Sequence, residues 1–145
     1  MRYYSYQTKK SEKEIARAML KDIDASAKDL GAVCANIKGW KAEKALVFLE
    51  EAAKGNKAIF YPQHSKKKGH RKELGGRKGG YPVKSCSLVK QVLENAMANA
   101  REKNLENPRV LHAAANKHAS YPRMASKGKQ MRMDYETSYV EIVLG

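Results

Sequence analysis

The sequence predicts an α+β fold, with helices dominating its first two thirds and paired strands its last third. Three segments carry apolar residues at the i, i+3, i+4 spacing of a buried helix face, and the residues after Pro108 alternate with period two. The 145 residues hold no internal repeat, which suits a single domain over residues 1–145. Leu, Ile, Val and Phe together make only 25 residues while alanine supplies 19, so the expected core is small and thin.

Residues 1–14 read as a polar amino-terminal arm. Its Tyr3, Tyr4 and Tyr6, followed by Lys9, Lys10 and Lys13, suit stacking on bases beside phosphates or packing on the chain's own domain. Residues 18–24 suit a short strand. Ser26 is a good N-cap with Asp29 in the first turn, and Ala27, Leu30, Val33, Cys34 and Ile37 follow at helical spacing until Gly39. A second helix is expected from Ala42 to Lys54, with Ala45, Leu46, Leu49, Ala52 and Ala53 on one face and Gly55 as the left-handed stop. The short Gly39-Trp40-Lys41 link predicts that these two helices are neighbours.

Residues 56–84 lack clear periodicity, hold five glycines between Gly69 and Gly80, and read as a long basic loop. The third helix has the clearest signal: Cys86, Val89, Leu93, Ala96 and Ala100 form its stripe, widened by Val92 and Met97. Cys86 is expected in the core, and Lys90, Gln91, Glu94, Asn95, Asn99 and Arg101 are expected to face solvent by default, with RNA as the alternative. After Pro108, Leu111, Ala113 and Ala115 alternate with Val110, His112, Ala114 and Asn116. Near the end Val140, Ile142 and Leu144 alternate with Tyr139, Glu141 and Val143, so the two segments read as paired antiparallel strands. Lys127-Gly128-Lys129 offers the turn between them. Arms of about 15 residues would reach ~50 Å, against a radius of gyration near ~15 Å for a compact chain of this length. A hairpin extension over 116–137 is therefore expected to protrude, with a tip that orders only when gripped.

Charge narrows the function. The net charge is +14; residues 64–84 carry eight bases against the single acid Glu73, and residues 117–133 carry five bases and no acid. Segments of this kind repel themselves and usually meet a polyanion whose counterions they release, so nucleic acid is the leading partner. An anionic membrane surface fits less well, because neither segment has an apolar face at helical spacing. No apolar run approaches the ~18 residues of a membrane span, and Met1-Arg2-Tyr3-Tyr4-Ser5-Tyr6-Gln7 lacks a signal-peptide core, so neither insertion nor secretion is expected. Two cysteines 52 positions apart suit a reducing cytoplasm.

Enzymatic readings find little support. No P-loop or GxGxxG after a strand occurs among the loop glycines, and GxSxG is absent. His64, His70, His112 and His118 with Cys34 and Cys86 lack zinc-site spacing, although His112 and His118 could share a strand face. Asp22 and Asp24 would point the same way on a strand, yet read more simply as solvent-facing charges or partners for lysines. No catalytic residue, cofactor or metal is expected. The alternative to a structural RNA-binding protein is a free-standing nucleic-acid-binding regulator or a small nucleic-acid enzyme.

Several ordered fragments carry a resemblance. They are Arg2-Tyr3 to Gln7, Ser26 with Lys28, Cys34, Ile37 and Gly39, Gly69-His70-Arg71-Lys72, and Tyr81-Pro82-Val83-Lys84. Glu94-Asn95-Ala96, Ala98-Asn99-Ala100 and Tyr139-Val140-Glu141-Ile142-Val143-Leu144 continue the series. In this order the chain resembles the large-subunit ribosomal protein family numbered twenty-two, in its archaeal and eukaryotic form. The resemblance implies a small antiparallel sheet packed with three helices, a long protruding β-hairpin and a basic loop. It also implies a cytoplasmic structural constituent of the large ribosomal subunit, bound to large-subunit rRNA of the 23S type and to neighbouring ribosomal proteins. Further implications are a role in assembly and a hairpin lining the exit tunnel beside the nascent polypeptide. The tip departs from the family in being slightly longer and poorer in arginine, and the loop lacks the family's usual tryptophan.

Cationic segments and matched fragments together define the expected RNA-contact set. It comprises Lys28, Lys66, Lys67, Lys68, His70, Arg71, Lys72, Arg77, Lys78, Tyr81, Lys84, Asn95, Asn99, Lys117, Arg123, Lys127, Lys129 and Arg132. The resemblance implies a tunnel tip of Arg123, Met124, Ala125, Ser126, Lys127, Gly128, Lys129 and Gln130, with Pro122 beside it.

Overall fold

A computed structural model of the chain describes residues 14–145, so the tyrosines and lysines expected to form the arm lie outside the described residues. The first sheet has strands β1 (Ala16–Ile23), β5 (Val110–Tyr121) and β6 (Tyr135–Leu144), ordered β1-β6-β5 and antiparallel throughout. The helices are α1 (Ala27–Ile37), α2 (Ala42–Ala53) and α3 (Val83–Glu102). A second sheet of short strands, β2 (Ile59–Phe60), β3 (Gly69–His70) and β4 (Lys78–Gly80), lies between α2 and α3 in the chain and has the order β2-β4-β3. The architecture is α+β, as the helical and alternating segments predict.

The apolar stripes of α1 and α3 are buried against the first sheet, and that of α2 against α3. Ser26 caps α1 by accepting the Asp29 backbone N–H at 3.4 Å, and Leu30, Val33, Cys34 and Ile37 are fully buried. α3 buries Cys86, Val89, Val92, Leu93, Ala96 and Ala100 and packs on β1, β6 and α2. Alanine supplies ten of the 28 buried apolar residues among those described, which lets elements approach closely where a richer chain would use leucine. Burial raises the Cys34 thiol to about 12 and the Cys86 thiol to about 11.

Sequence reading and structure part at several places. α1 and α2 do not pack along each other; α1 lies on β5 and α3, and α2 on α3. Their linker is drawn instead to the start of β5: the Gly39 N–H donates to the Val110 carbonyl at 2.8 Å, the Val110 N–H to the Trp40 carbonyl at 2.8 Å, and the Ala42 N–H to the Pro108 carbonyl at 2.9 Å. Strand alternation also fails locally. A register shift between Val110 and His112 leaves Leu111 unmatched and puts Val110 and Ala113 together in the core. In β6, the middle strand, both alternating sets are buried: Glu141 and Val143 as fully as Val140, Ile142 and Leu144. Glu141 is there paired with the His112 Nε2 at 3.0 Å.

Asp22 and Asp24 do not point the same way, as a regular strand would have them. Asp22 adopts a left-handed φ of 54° at the irregular end of β1, which turns the two carboxylates toward different partners. Asp22 Oδ1 lies 2.8 Å from the His118 Nδ1 and accepts the Thr137 hydroxyl at 3.4 Å, while Asp24 pairs with Lys84 at 3.2 Å. These acids tie the β1–α1 turn to the root of the hairpin and to the first turn of α3.

Candidate nucleic-acid interface

Residues 56–82 form a folded cationic plate and Val83 and Lys84 already belong to α3, which corrects the reading of 56–84 as a loop without regular structure. Glycine hides the pattern: β4 is Lys78-Gly79-Gly80, and no side-chain alternation can announce such a strand. Phe60 pairs with Gly79, and Gly79 with Gly69 on the other side. A Cβ on Gly79 would lie 2.8 Å from the Ile59 carbonyl oxygen and closer still to the Leu74 side chain, so this position requires glycine for close approach.

The plate is fixed to α1 and to itself by a few polar side chains. Asn36 on α1 donates to the Phe60 carbonyl at 2.8 Å. The Tyr61 hydroxyl donates to Asp29 at 2.7 Å; burial, with this hydrogen bond, pushes the phenol above its ordinary range. Glu73, in a 3₁₀ turn at Lys72–Leu74, accepts the Ala58 N–H and the Tyr81 hydroxyl, each at 3.1 Å. The lone acid of the basic run thus organises its backbone. Asp29, Asn36 and Tyr61 were not among the expected site residues; Glu73 could have been found as the one acid among eight bases.

The basic residues divide by environment. Lys68 is half-buried, 4.2 Å over the Tyr61 ring and 3.5 Å from Asp29, so it belongs partly to the fold rather than lying wholly outside it. Arg71 stacks 5.0 Å from the Tyr81 ring and donates to the Gly79 carbonyl at 3.3 Å. Arg77 stacks 5.0 Å from the Phe60 ring and donates to the Leu74 carbonyl at 3.1 Å. His70 uses its Nδ1 on the Gly76 carbonyl. By contrast, Lys66, Lys67, Lys72 and Lys78 are exposed and have no acidic partner among the described residues. Stacked guanidiniums are held in place, and free ammoniums surround them.

Other expected contact residues lie on different elements. Lys84 pairs with Asp24, and its ammonium, helped by the Tyr135 hydroxyl, holds the Asp24 carboxyl below the ordinary range. Asn99 serves the fold, its amide donating to the Arg17 carbonyl at 2.9 Å, whereas Asn95 is exposed. Lys28 is exposed on α1. It lines an open groove of about 510 Å³ with residues of the β2–β3 connection and of β5.

The hairpin is held at its root and open at its tip. Lys117 pairs with Glu136, Asn116 donates to the Tyr139 hydroxyl at 3.2 Å, and Arg123 lies 5.8 Å from the Tyr135 ring. Tyr121 and Tyr135, 6.1 Å apart, close the regular ladder. Beyond them the chain turns through Ser126–Gly128, where Lys127 and Gly128 have φ of 63° and 71°. The Ala125 N–H donates to the Lys129 carbonyl at 2.7 Å and the Met131 N–H to the Arg123 carbonyl at 2.8 Å. Every residue from Ser120 to Asp134 is exposed, including Met124, Met131 and Met133. Lys127, Lys129 and Arg132 have no acidic partner among the described residues.

Among the described residues no three His, Cys, Asp or Glu side chains converge; His112 and His118 engage Glu141 and Asp22 separately. Also among the described residues, no helix is long and apolar enough to cross a membrane.

Comparison with known proteins agrees with this geometry. Residues 18–145 match the family described as Ribosomal protein L22p/L17e. The chain is 33% identical to Large ribosomal subunit protein uL22 of Methanocaldococcus jannaschii, over 96% of this chain and 92% of that protein. It is 35% identical to Large ribosomal subunit protein uL22 of Methanosphaera stadtmanae, over 98% and 95%. The protein of that name from Sulfurisphaera tokodaii is 34% identical over 92% and 91%. Matched over the sheet, the helices, the cationic plate and the hairpin alike, the chain belongs to the L22p/L17e ribosomal protein family.

Proposed function

We infer that the protein is a structural constituent of the large ribosomal subunit in the cytoplasm, not an enzyme, whose partners are rRNA and neighbouring ribosomal proteins. The observation that carries the mechanism is the division of its cations. Arg71 and Arg77 are pre-positioned on aromatic rings, while Lys66, Lys67, Lys72, Lys78, Lys127, Lys129 and Arg132 are exposed without acidic partners among the described residues. The plate docks on phosphates as a rigid body, the free ammoniums releasing counterions. The helical body sets its register. Lys28, Lys84, Asn95 and Lys117 extend this contact along α1, α3 and the hairpin root.

The hairpin tip, Arg123 to Gln130, lines the peptide exit tunnel and meets the nascent polypeptide. An exposed tip with little apolar packing supports this reading, because such a strand pair gains its fixed course from surrounding RNA. Residues 14–145 act as one RNA-binding domain, with 116–137 as its hairpin extension.

The test is co-sedimentation of tagged protein with large subunits at high salt, together with rRNA binding by purified protein across a salt series. Retention in the particle and a steep loss of free binding with salt are expected, with a log–log slope of roughly 0.7–0.9 per phosphate engaged. A flat salt dependence, or absence from large subunits, would refute the proposal.

A further inference from the structure

The groove between α1, the β2–β3 connection and the root of the hairpin is a second kind of surface. We propose that it holds one unstacked nucleotide of the rRNA, a site distinct from the phosphate-binding plate; the proposal rests on the rRNA-binding reading above. The groove, about 510 Å³, has the scale of a small-molecule site. Its walls contain no acid and no large aliphatic or aromatic anchor of the kind a peptide groove offers. The floor is built from small residues of α1, among them Gly31 and Ala35, so a flat ring can approach the helix closely.

Four polar groups converge there. The side chains of Lys28, Gln63 and His64 have no hydrogen bond or ion pair among the described residues, and the side chain of Asn116 uses only its amide N–H, on Tyr139. Amide side chains match the donor–acceptor edges of bases, an imidazole offers a face for stacking, and an ammonium meets the phosphate. Lys117, at the same rim, is shared with Glu136 and adds a second positive charge. A free phosphate would leave both amides and most of the volume unused, and a protein segment would find cations where it needs apolar sockets. RNA is read through splayed, unstacked bases rather than through its deep major groove, and this groove offers what such a base requires.

Filling the groove without touching charge tests the assignment. Ala35 is exposed on α1, so Ala35→Phe adds bulk outside the core; thermal melting checks that the variant folds, and Gln63→Ala removes one amide from a connection as an independent variant. Binding to protein-free large-subunit rRNA should weaken about 5- to 100-fold for Ala35→Phe, as loss of one stacked base does, with an unchanged salt slope. Chemical probing of the RNA should show one or two nucleotides that regain reactivity in both variants. Wild-type affinity and an unaltered reactivity pattern in the variants would overturn the groove assignment while leaving the plate intact. Failure of the wild-type protein to bind rRNA at low salt would instead sink both readings.

Discussion

The Tyr61 hydroxyl donates to Asp29 at 2.7 Å while Lys68 lies 3.5 Å from the same carboxylate oxygen and over the same ring, so one acid on α1 holds both a phenol and an ammonium of the cationic plate. The contact joins the plate to the helical body. It also predicts a pH signature. The folded state raises the Tyr61 phenol above its ordinary value of 10.0, so the native chain keeps that proton more tightly than the unfolded one. The resulting stability is fully present below pH 10.0 and is lost as pH rises toward the folded value. Tyr61→Phe should cost about 0.5–1.5 kcal/mol at neutral pH. Denaturant melts across pH 7–11 should show its deficit against wild type shrinking at the alkaline end; a constant gap would contradict the linkage.

Plate residues should separate into two classes under mutation. Joint replacement of Lys66, Lys67, Lys72 and Lys78 by alanine should lower the salt slope of rRNA binding by roughly 0.7–0.9 for each cation that engages a phosphate, with melting temperature unchanged. Arg71→Ala or Arg77→Ala should also loosen the plate, because each arginine stacks on a ring and donates to a backbone carbonyl. Hydrogen exchange across residues 56–82 reads the difference, and equal protection in both classes would contradict it.

Gly79→Ala should disturb the plate without unfolding the body. The added methyl meets the Ile59 carbonyl, which belongs to a strand partner and cannot swing aside. The expected strain is about 1–3 kcal/mol. Backbone NMR shifts should move in β2, β3 and β4 and stay in place in β1, β5 and β6; native shifts throughout would show that the plate absorbs the methyl.

Leu93 is fully buried at the centre of α3. Leu93→Ala should destabilise the body by about 2–5 kcal/mol in chemical denaturation. A loss under 1 kcal/mol would mean that the alanine-rich surroundings collapse onto the cavity, a result informative in itself.

The hairpin tip should gain rigidity on RNA binding. NMR order parameters for residues 123–131 are expected to rise in the rRNA complex, while those of residues 112–117 and 137–143 stay high in both states. Equal tip values with and without RNA would argue against gripping by the partner.

How much of this was legible beforehand follows from which signals survive in side chains. The three helices show in the stripes Leu30–Val33–Cys34–Ile37, Ala45–Leu49–Ala52 and Cys86–Val89–Leu93–Ala96, because helix burial leaves a periodic trace. The plate left none, since its middle strand is mostly glycine and its order comes from Glu73, Tyr61, Asn36 and two stacked arginines distant in sequence. The packing of α2 on α3 was hidden for a related reason: backbone hydrogen bonds at Gly39, Trp40 and Ala42 turn the chain, and backbone groups carry no residue code. The cationic segments were evident from charge alone. What charge could not reveal was which cations the fold engages, as with Lys68 and Lys84, and which it leaves open.

Both thiols, at about 12 and about 11, are almost wholly protonated at neutral pH, and alkylating reagents require the thiolate and a path to it. Neither condition is met while α1 and α3 sit on the sheet. Iodoacetamide labelling therefore becomes a clock for opening of the hydrophobic centre, in the free chain and within the assembled particle alike. The ratio of those two rates reports how far assembly locks the protein shut.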